Sequence, residues 1–283
     1  MRPKPIRMFS RAAMLLLTLI FAFAGAQTAW AEDAYNISYI DANGNPATCI
    51  RAEVVTTSME GISSNLDDKG HFNCDNDWLV VTGDVTLNGA KCTNLYDKKL
   101  ILCDGATLTI SERMWFTNTS LTIYGQSGGT GKLVVSGSYA NSDALHLPSG
   151  KTLTINGGIV EVTNTATQSG CHGLSVGTLV MNGGTATFSG GSSSWGSVGI
   201  DGNVTFNGGN LTATGKDGGI RGNTTISWKN STDRIKAKLY EGSVTIAEGK
   251  GLKDPSGNIY IGTLTSAQKS TIANVMLQPP HPS

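Results

Sequence analysis

Apolar and polar positions alternate in short runs through the middle of this chain, and the runs recur. Leu153-Thr-Ile-Asn-Gly-Gly-Ile-Val-Glu-Val162, Leu179-Val-Met-Asn-Gly-Gly-Thr-Ala-Thr-Phe188 and Val204-Thr-Phe-Asn-Gly-Gly-Asn-Leu-Thr-Ala213 align without gaps. Their Asn-Gly-Gly triplets begin at Asn156, Asn182 and Asn207, intervals of 26 and 25 residues. Before each triplet stand Leu153/Ile155, Leu179/Met181 and Val204/Phe206; after it stand Val160/Val162, Ala186/Phe188 and Leu211/Ala213. Period-two alternation over a few residues marks a strand with one buried face. Glycine supplies positive φ for a tight corner, and Asn tolerates the same left-handed region. Weaker copies stand upstream at Leu108-Thr-Ile110, Leu121-Thr-Ile-Tyr124 and Leu133-Val-Val135.

A propeller blade needs four antiparallel strands from about 40–45 residues. The repeat here is shorter and holds two strands and a brief third, such as Val198 to Asp201. This predicts an all-β chain folded as a right-handed parallel β-helix, a three-sided solenoid of roughly six or seven rungs over residues 78–240. Successive rungs then place Val162, Phe188 and Ala213 at one inward position. A large ring lies between smaller neighbours there, the compensation that close packing rewards. In the short third strand, Leu145-His146, Leu174-Ser175, Ile200-Asp201 and Ile220-Arg221 occupy equivalent places. With the apolar member inward, His146, Ser175, Asp201 and Arg221 form an outward ladder.

Open rungs expose unpaired backbone, so both ends need closure. Residues 32–77 are predicted to form an N-terminal cap, with strands around the turn Asp41-Ala-Asn-Gly-Asn45. That turn shares Asp41, Asn43 and Asn45 with a calcium loop. Pro46 at the sixth position and Ala52 at the twelfth rule out the metal. Residues 241–283 are predicted to close the other end with a hairpin at Asp254-Pro-Ser-Gly-Asn258. A short helix through Val275 follows, for which Thr265 and Gln268 have capping-box spacing and Leu264 is a candidate staple.

The first residues change the compartment. Arg2, Lys4, Arg7 and Arg11 form a basic head, Ala12 to Ala24 an apolar run, and Ala29-Trp30-Ala31 a small-residue cleavage site. Residues 1–31 therefore read as a secretory signal peptide cleaved after Ala31, with no membrane span left once it is removed. The chain is expected outside the cytoplasm, secreted or in the periplasm or cell envelope. Removing the head leaves 17 Lys+Arg against 21 Asp+Glu, a mildly acidic balance that excludes a nucleic-acid binder. Of five cysteines, Cys92–Cys103 and Cys49–Cys74 are sequence neighbours and candidate disulfides, leaving Cys171 over. Their spacings are not those of a zinc site.

Leu121-Thr-Ile-Tyr-Gly-Gln-Ser-Gly-Gly-Thr-Gly-Lys-Leu133, the Asn-Gly-Gly rungs, Tyr240-Glu-Gly-Ser-Val-Thr-Ile-Ala-Glu-Gly-Lys250 and Gly262-Thr-Leu-Thr-Ser-Ala-Gln268 resemble a group of uncharacterised bacterial secreted β-helix proteins. Some of that group are labelled carbohydrate-binding or adhesin-like. The resemblance covers most of the mature chain and implies fold and compartment. It supplies no catalytic motif.

Two further fragments point toward pectin chemistry. Ser169-Gly-Cys-His-Gly-Leu-Ser-Val-Gly177 looks like the Gly-His-Gly stretch of polygalacturonases, and Arg234-Ile-Lys236 looks like their substrate clamp. Glycoside hydrolysis needs paired carboxylates on one face. The stretch before the histidine, Thr163 to Ser169, holds no acid, and Asp67-Asp68 lies far upstream. A lyase would need a basic residue beside calcium-binding acids, and no such cluster accompanies Arg221. No catalytic residue, metal or cofactor is therefore assigned. The candidate binding strip is His146, Ser175, Asp201 and Arg221, with Trp195 as a ring that could stack on sugar. Outward threonines Thr109, Thr122, Thr154 and Thr205 form another row, interrupted by Val180, that β-propensity explains. The expected role is a non-enzymatic surface presented to an extracellular glycan or to a host or cell surface. A pectinase-like enzyme and a purely structural surface protein are the alternatives.

Overall fold

The computed structural model describes residues 33–57, 77–92, 96–138, 142–193 and 196–280, except the side chains of Lys91, Cys92 and Tyr240. The signal segment and its cleavage site lie outside these residues. The chain winds as a right-handed parallel β-solenoid of about six turns, and each turn crosses three faces. The first face stacks Trp78–Val81, Lys98–Leu102, Leu121–Gly125, Thr152–Ile155 and the strands that follow in step. The second face is a separate eight-stranded sheet running from Val85–Leu87 to Arg234–Ala237, closed by Met276–Leu277. The third face stacks Ala90–Cys92, Met114–Phe116 and Leu145–His146. It continues through the first halves of Leu174–Met181 and Val198–Phe206, then Gly218–Arg221 and Leu239–Glu241. The brief strand expected at Val198 to Asp201 does not stop there. It runs round the corner to Phe206 and joins third face to first in one sheet.

Register follows the repeat. Leu153, Leu179 and Val204 pair in parallel, as do Ile155, Met181 and Phe206, and all six are buried. Val162, Phe188 and Ala213 stack on the second face with none of their surface exposed. Leu145, Leu174, Ile200 and Ile220 form the inward column of the third. Stacking on this pattern places each apolar side chain against its counterpart a rung away, so one continuous core fills the coil.

The Asn-Gly-Gly corners work differently from expectation. Only the second glycine is left-handed, at φ 76° for Gly158, 78° for Gly184 and 93° for Gly209. The asparagines do not share that conformation. They form an amide ladder, in which Asn182 Nδ2 donates to Asn156 Oδ1 and Asn207 Nδ2 to Asn182 Oδ1, each at 2.8 Å. Identical amides one rung apart satisfy each other, so the repeat of Asn is a hydrogen-bonding device. The threonine row also needs correction. Thr122, Thr154, Val180, Thr205, Thr225 and Thr245 are one ladder on the first face, whereas Thr109 sits on the second.

Both ends are built as expected, with two refinements. Asp33–Ile40 and Pro46–Val54 form an antiparallel hairpin around Asp41, whose Oδ1 accepts from the backbone N–H of Asn43 and Asn45. Those donors hold its carboxyl below the usual range. The hairpin joins the first rung through Glu53 and Val54, and then lies along the outside of the solenoid. Ile37, Cys49 and Ala52 cover the outward Val80 and Ile101, and Tyr39 packs with Trp78 and Tyr124. Lys229 reaches the Ala42 carbonyl at the hairpin tip. At the far end, Leu252–Lys253 pairs with Ile259–Tyr260 around Asp254. The helix Ser266–Thr271 carries the expected capping box of Thr265 and Gln268. It ends at Ile272, short of Val275, and Leu264 is buried.

Candidate functional site

The third-face ladder is in register. His146 pairs with Ser175, Ser175 with Asp201 and Asp201 with Arg221. In the other direction His146 pairs with Trp115, which the sequence reading left out. The two rings stack, with centroids 3.7 Å apart and planes 11° from parallel. The Arg113 guanidinium stands 5.2 Å over the Trp115 ring, a cation–π contact, and its Nη1 donates to Ser142 Oγ at 3.1 Å. At the other end Arg221 holds both oxygens of Asp201, Nε to Oδ1 at 2.8 Å and Nη2 to Oδ2. Such a two-pronged pair fixes both side chains more firmly than a single contact would.

His172 links this ladder to the corner beside it. Its side chain is 9% exposed. The Val198 N–H points at His172 Nδ1 at 3.3 Å. Nε2 faces Asp201 Oδ2 at 3.5 Å and lies 3.2 Å from Arg221 Nη2. Burial pushes the pKa of His172 down, as does Arg221, against the opposing pull of Asp143 and Asp201. Asp143 in turn sits 3.1 Å from His146 Nδ1. The carboxylates missing from Thr163 to Ser169 therefore arrive from neighbouring rungs, Asp143 before the histidine and Asp201 after it. Three residues here were not singled out as site members: Trp115, Asp143 and His172. Met114-Trp-Phe116 reads as continuous apolar sequence and hides the outward ring. The alignment of Met114 with Leu145 was the signal that could have found it.

The ladder side chains are half-buried. Side-chain exposure is 21% for His146, 12% for Asp143 and 30% each for Asp201 and Arg221. Ser142, Asp143, His172, Gly196 and Asp217 stand at the corner between second and third faces. There the Gly196 N–H donates to the Asp217 carboxylate, and a side chain at Gly196 would lie 3.8 Å from Arg221 Nη1. Trp195 lies outside the described residues. Arg234 and Lys236 are on the second face, paired with Asn210 and Thr212, so the clamp-like fragment does not join His172 in the ladder.

Cys49 and Cys103 are free thiols. Cys74 and the side chain of Cys92, their expected partners, lie outside the described residues. Cys171 is buried, with Sγ 3.7 Å from the Ser169 carbonyl. Among the described residues no three His, Cys, Asp or Glu side chains converge as metal ligands, and no helix is long and apolar enough to cross a membrane. Comparison with family models, curated proteins and solved structures finds no match for the chain.

Proposed function

We propose that this protein is a secreted or cell-envelope solenoid that binds extracellular carbohydrate through its third face and does not alter it. The observation that carries this reading is the in-register ladder Trp115–His146–Ser175–Asp201–Arg221, in which Trp115 and His146 are held by stacking and Asp201 and Arg221 by ion pairing. Preorganised side chains lose little entropy when a ligand arrives. Hydrogen-bonding groups and the edges of two rings along one strand face supply the mixed polar and apolar contacts that a sugar offers in return. The test is a glycan array probed with the mature chain, with Trp115→Ala, with Arg221→Ala, and with Thr205→Ala on the first face. Binding that the two third-face changes weaken and Thr205→Ala leaves intact supports the proposal. Binding to no glycan, or binding weakened only by Thr205→Ala, overturns it.

One observation favours an enzymatic reading. Asp143 and Asp201 both stand near His172, as an acid/base pair would. Against it, both Asp201 oxygens already accept from Arg221, which ties the carboxylate to its neighbour one rung on. Release of reducing ends or unsaturated uronate from a pectin and glycan panel, lost in Asp201→Asn, would establish the enzyme in place of the binder.

A further inference from the structure

We infer that the C-terminal end of the second face is a docking surface for an anionic lipid bilayer, independent of what the third face binds. The register there continues past the last rung. Arg234 follows Asn210 and Lys236 follows Thr212. Lys236 then pairs with Met276, Gln278 bridges to Lys253, and Lys253 pairs with Ile259. Residues directly opposite each other lie on the same side of a sheet. Ile235, Leu277, Leu252 and Tyr260 take the inward positions here and are buried. Arg234, Lys236, Met276, Lys253 and Ile259 therefore face outward in one strip, and Ile261 extends it by alternation.

This strip is both apolar and basic. Ile259, Ile261 and Met276 are 60%, 72% and 44% exposed, and the two isoleucines line an open groove with Ile246, Lys250 and Pro280. Residues 229–280 hold seven Lys and Arg against four Asp and Glu, whereas residues 32–228 hold ten against seventeen. Of the four acids, Asp233 and Asp254 are buried, and their carboxylates accept from Gly209, Lys229 and Asn230 and from Asn258 and Tyr260. Glu241 lies on the third face, and Glu248 shares the groove with Lys250. Among the described residues no carboxylate forms an ion pair with Arg234, Lys236, Lys250 or Lys253, whereas Arg51, Lys132 and Arg221 each have one. Unpaired cations beside exposed aliphatic side chains match a bilayer interface. The cations are drawn to acidic headgroups within about a Debye length, and apolar side chains that enter the headgroup boundary leave water. A soluble polyanion would meet the charges and leave the isoleucines and Met276 hydrated. An apolar protein partner would leave the lysines unanswered.

The experiment is flotation of the mature chain with phosphatidylcholine vesicles, with and without phosphatidylglycerol. The expected result is binding to the anionic vesicles only, weakened by salt. The lipid and salt dependence of the unaltered chain tests the role of charge without any variant. Lys236→Glu combined with Lys253→Glu should weaken binding at least about tenfold. Ile259→Ser combined with Ile261→Ser should weaken it at every salt concentration, because burial of apolar area does not depend on screening. Lys151→Glu, the same change of charge beside the first-face strand Thr152–Ile155, should leave it unchanged. All these side chains lie at the surface, and an unchanged melting temperature confirms that each variant folds. Equal binding to both vesicle types, binding to neither, or binding lost in Lys151→Glu and kept in Lys236→Glu with Lys253→Glu overturns the proposal. Retention by soluble dextran sulfate without binding to vesicles overturns it too, and assigns the strip to a polymer.

Discussion

The first and third faces share one sheet, one strand spacing and one core, yet their outer surfaces are built on opposite rules. The first face repeats itself: Thr122, Thr154, Val180, Thr205, Thr225 and Thr245 stand in line. Each of these residues suits a half-exposed strand on its own account, and none needs its neighbour. The third face changes at every rung, and its members are tied together by the Trp115–His146 stack, the Asp143–His146 contact and the Asp201–Arg221 pair. A solenoid is free to repeat one favourable residue indefinitely, as its Asn ladder does. A face that departs from repetition in this way is the one we propose to be shaped for something outside the fold.

The largest expected effect probes what both faces stand on. Phe188→Ala removes a fully buried ring between Val162 and Ala213. Its cost should be about 3–5 kcal/mol, because stacked rungs cannot close over the hole. Chemical denaturation reads this directly, and an unchanged midpoint would contradict the described core. The ladder residues should remain in place only where this core is intact, so loss of binding in this variant carries no information about the site.

A second change acts in the opposite direction. Thr224 occupies the inward column of the first face after Leu179 and Val204, and its buried hydroxyl has no hydrogen-bond partner among the described residues. A buried unsatisfied hydroxyl costs about 1–3 kcal/mol. Thr224→Val should raise stability by about 1 kcal/mol in the same measurement, without touching either outer surface.

Double-mutant cycles then compare the faces themselves. Asp201 and Arg221 are both about a third exposed, so their coupling should be no more than about 1 kcal/mol. The neighbouring first-face pair Thr205 and Thr225 should couple by less than about 0.3 kcal/mol, within the range of independent sites. Equal couplings on the two faces would remove the distinction drawn here.

The smallest effect is a pH dependence. His172 has a folded pKa below its ordinary 6.5, from burial first and Arg221 after it. The unfolded chain therefore binds the proton more readily. Stability from this group is fully present above pH 6.5 and falls as pH drops from there through the lower folded value. The carboxyls of Asp41, Asp104 and Asp254, lowered by hydrogen bonds, act in a separate window below about pH 4. His172→Gln should flatten the slope just below pH 6.5 and leave the acid limb unchanged, measured by melting temperature across the range.

Much of this was legible in the sequence because the repeat sets its own register. Three Asn-Gly-Gly triplets fix the offset, and the inward Leu or Ile of each third strand carries His146, Ser175, Asp201 and Arg221 with it. What stayed hidden has physical causes. Trp115 sits among apolar neighbours, so alternation did not mark it as outward. His172 was judged by the acids next to it in sequence, whereas its carboxylates come from other turns, 29 residues either way. The hairpin's course along the outer surface depends on Tyr39, Trp78 and Tyr124 meeting across distant segments, and no local pattern encodes that.

The central claim is that the third face is the binding face, and hydroxyl-radical footprinting tests it most directly. The mature chain is oxidised with and without a saturating glycan drawn from the array, and modification is read by mass spectrometry. The account predicts that Trp115 and His146 lose reactivity on binding. Tyr35 on the hairpin, 63% exposed, and Met276 on the C-terminal cap, 44% exposed, should react as before. Protection of Tyr35 or Met276 with Trp115 and His146 unchanged would place the ligand elsewhere and contradict it.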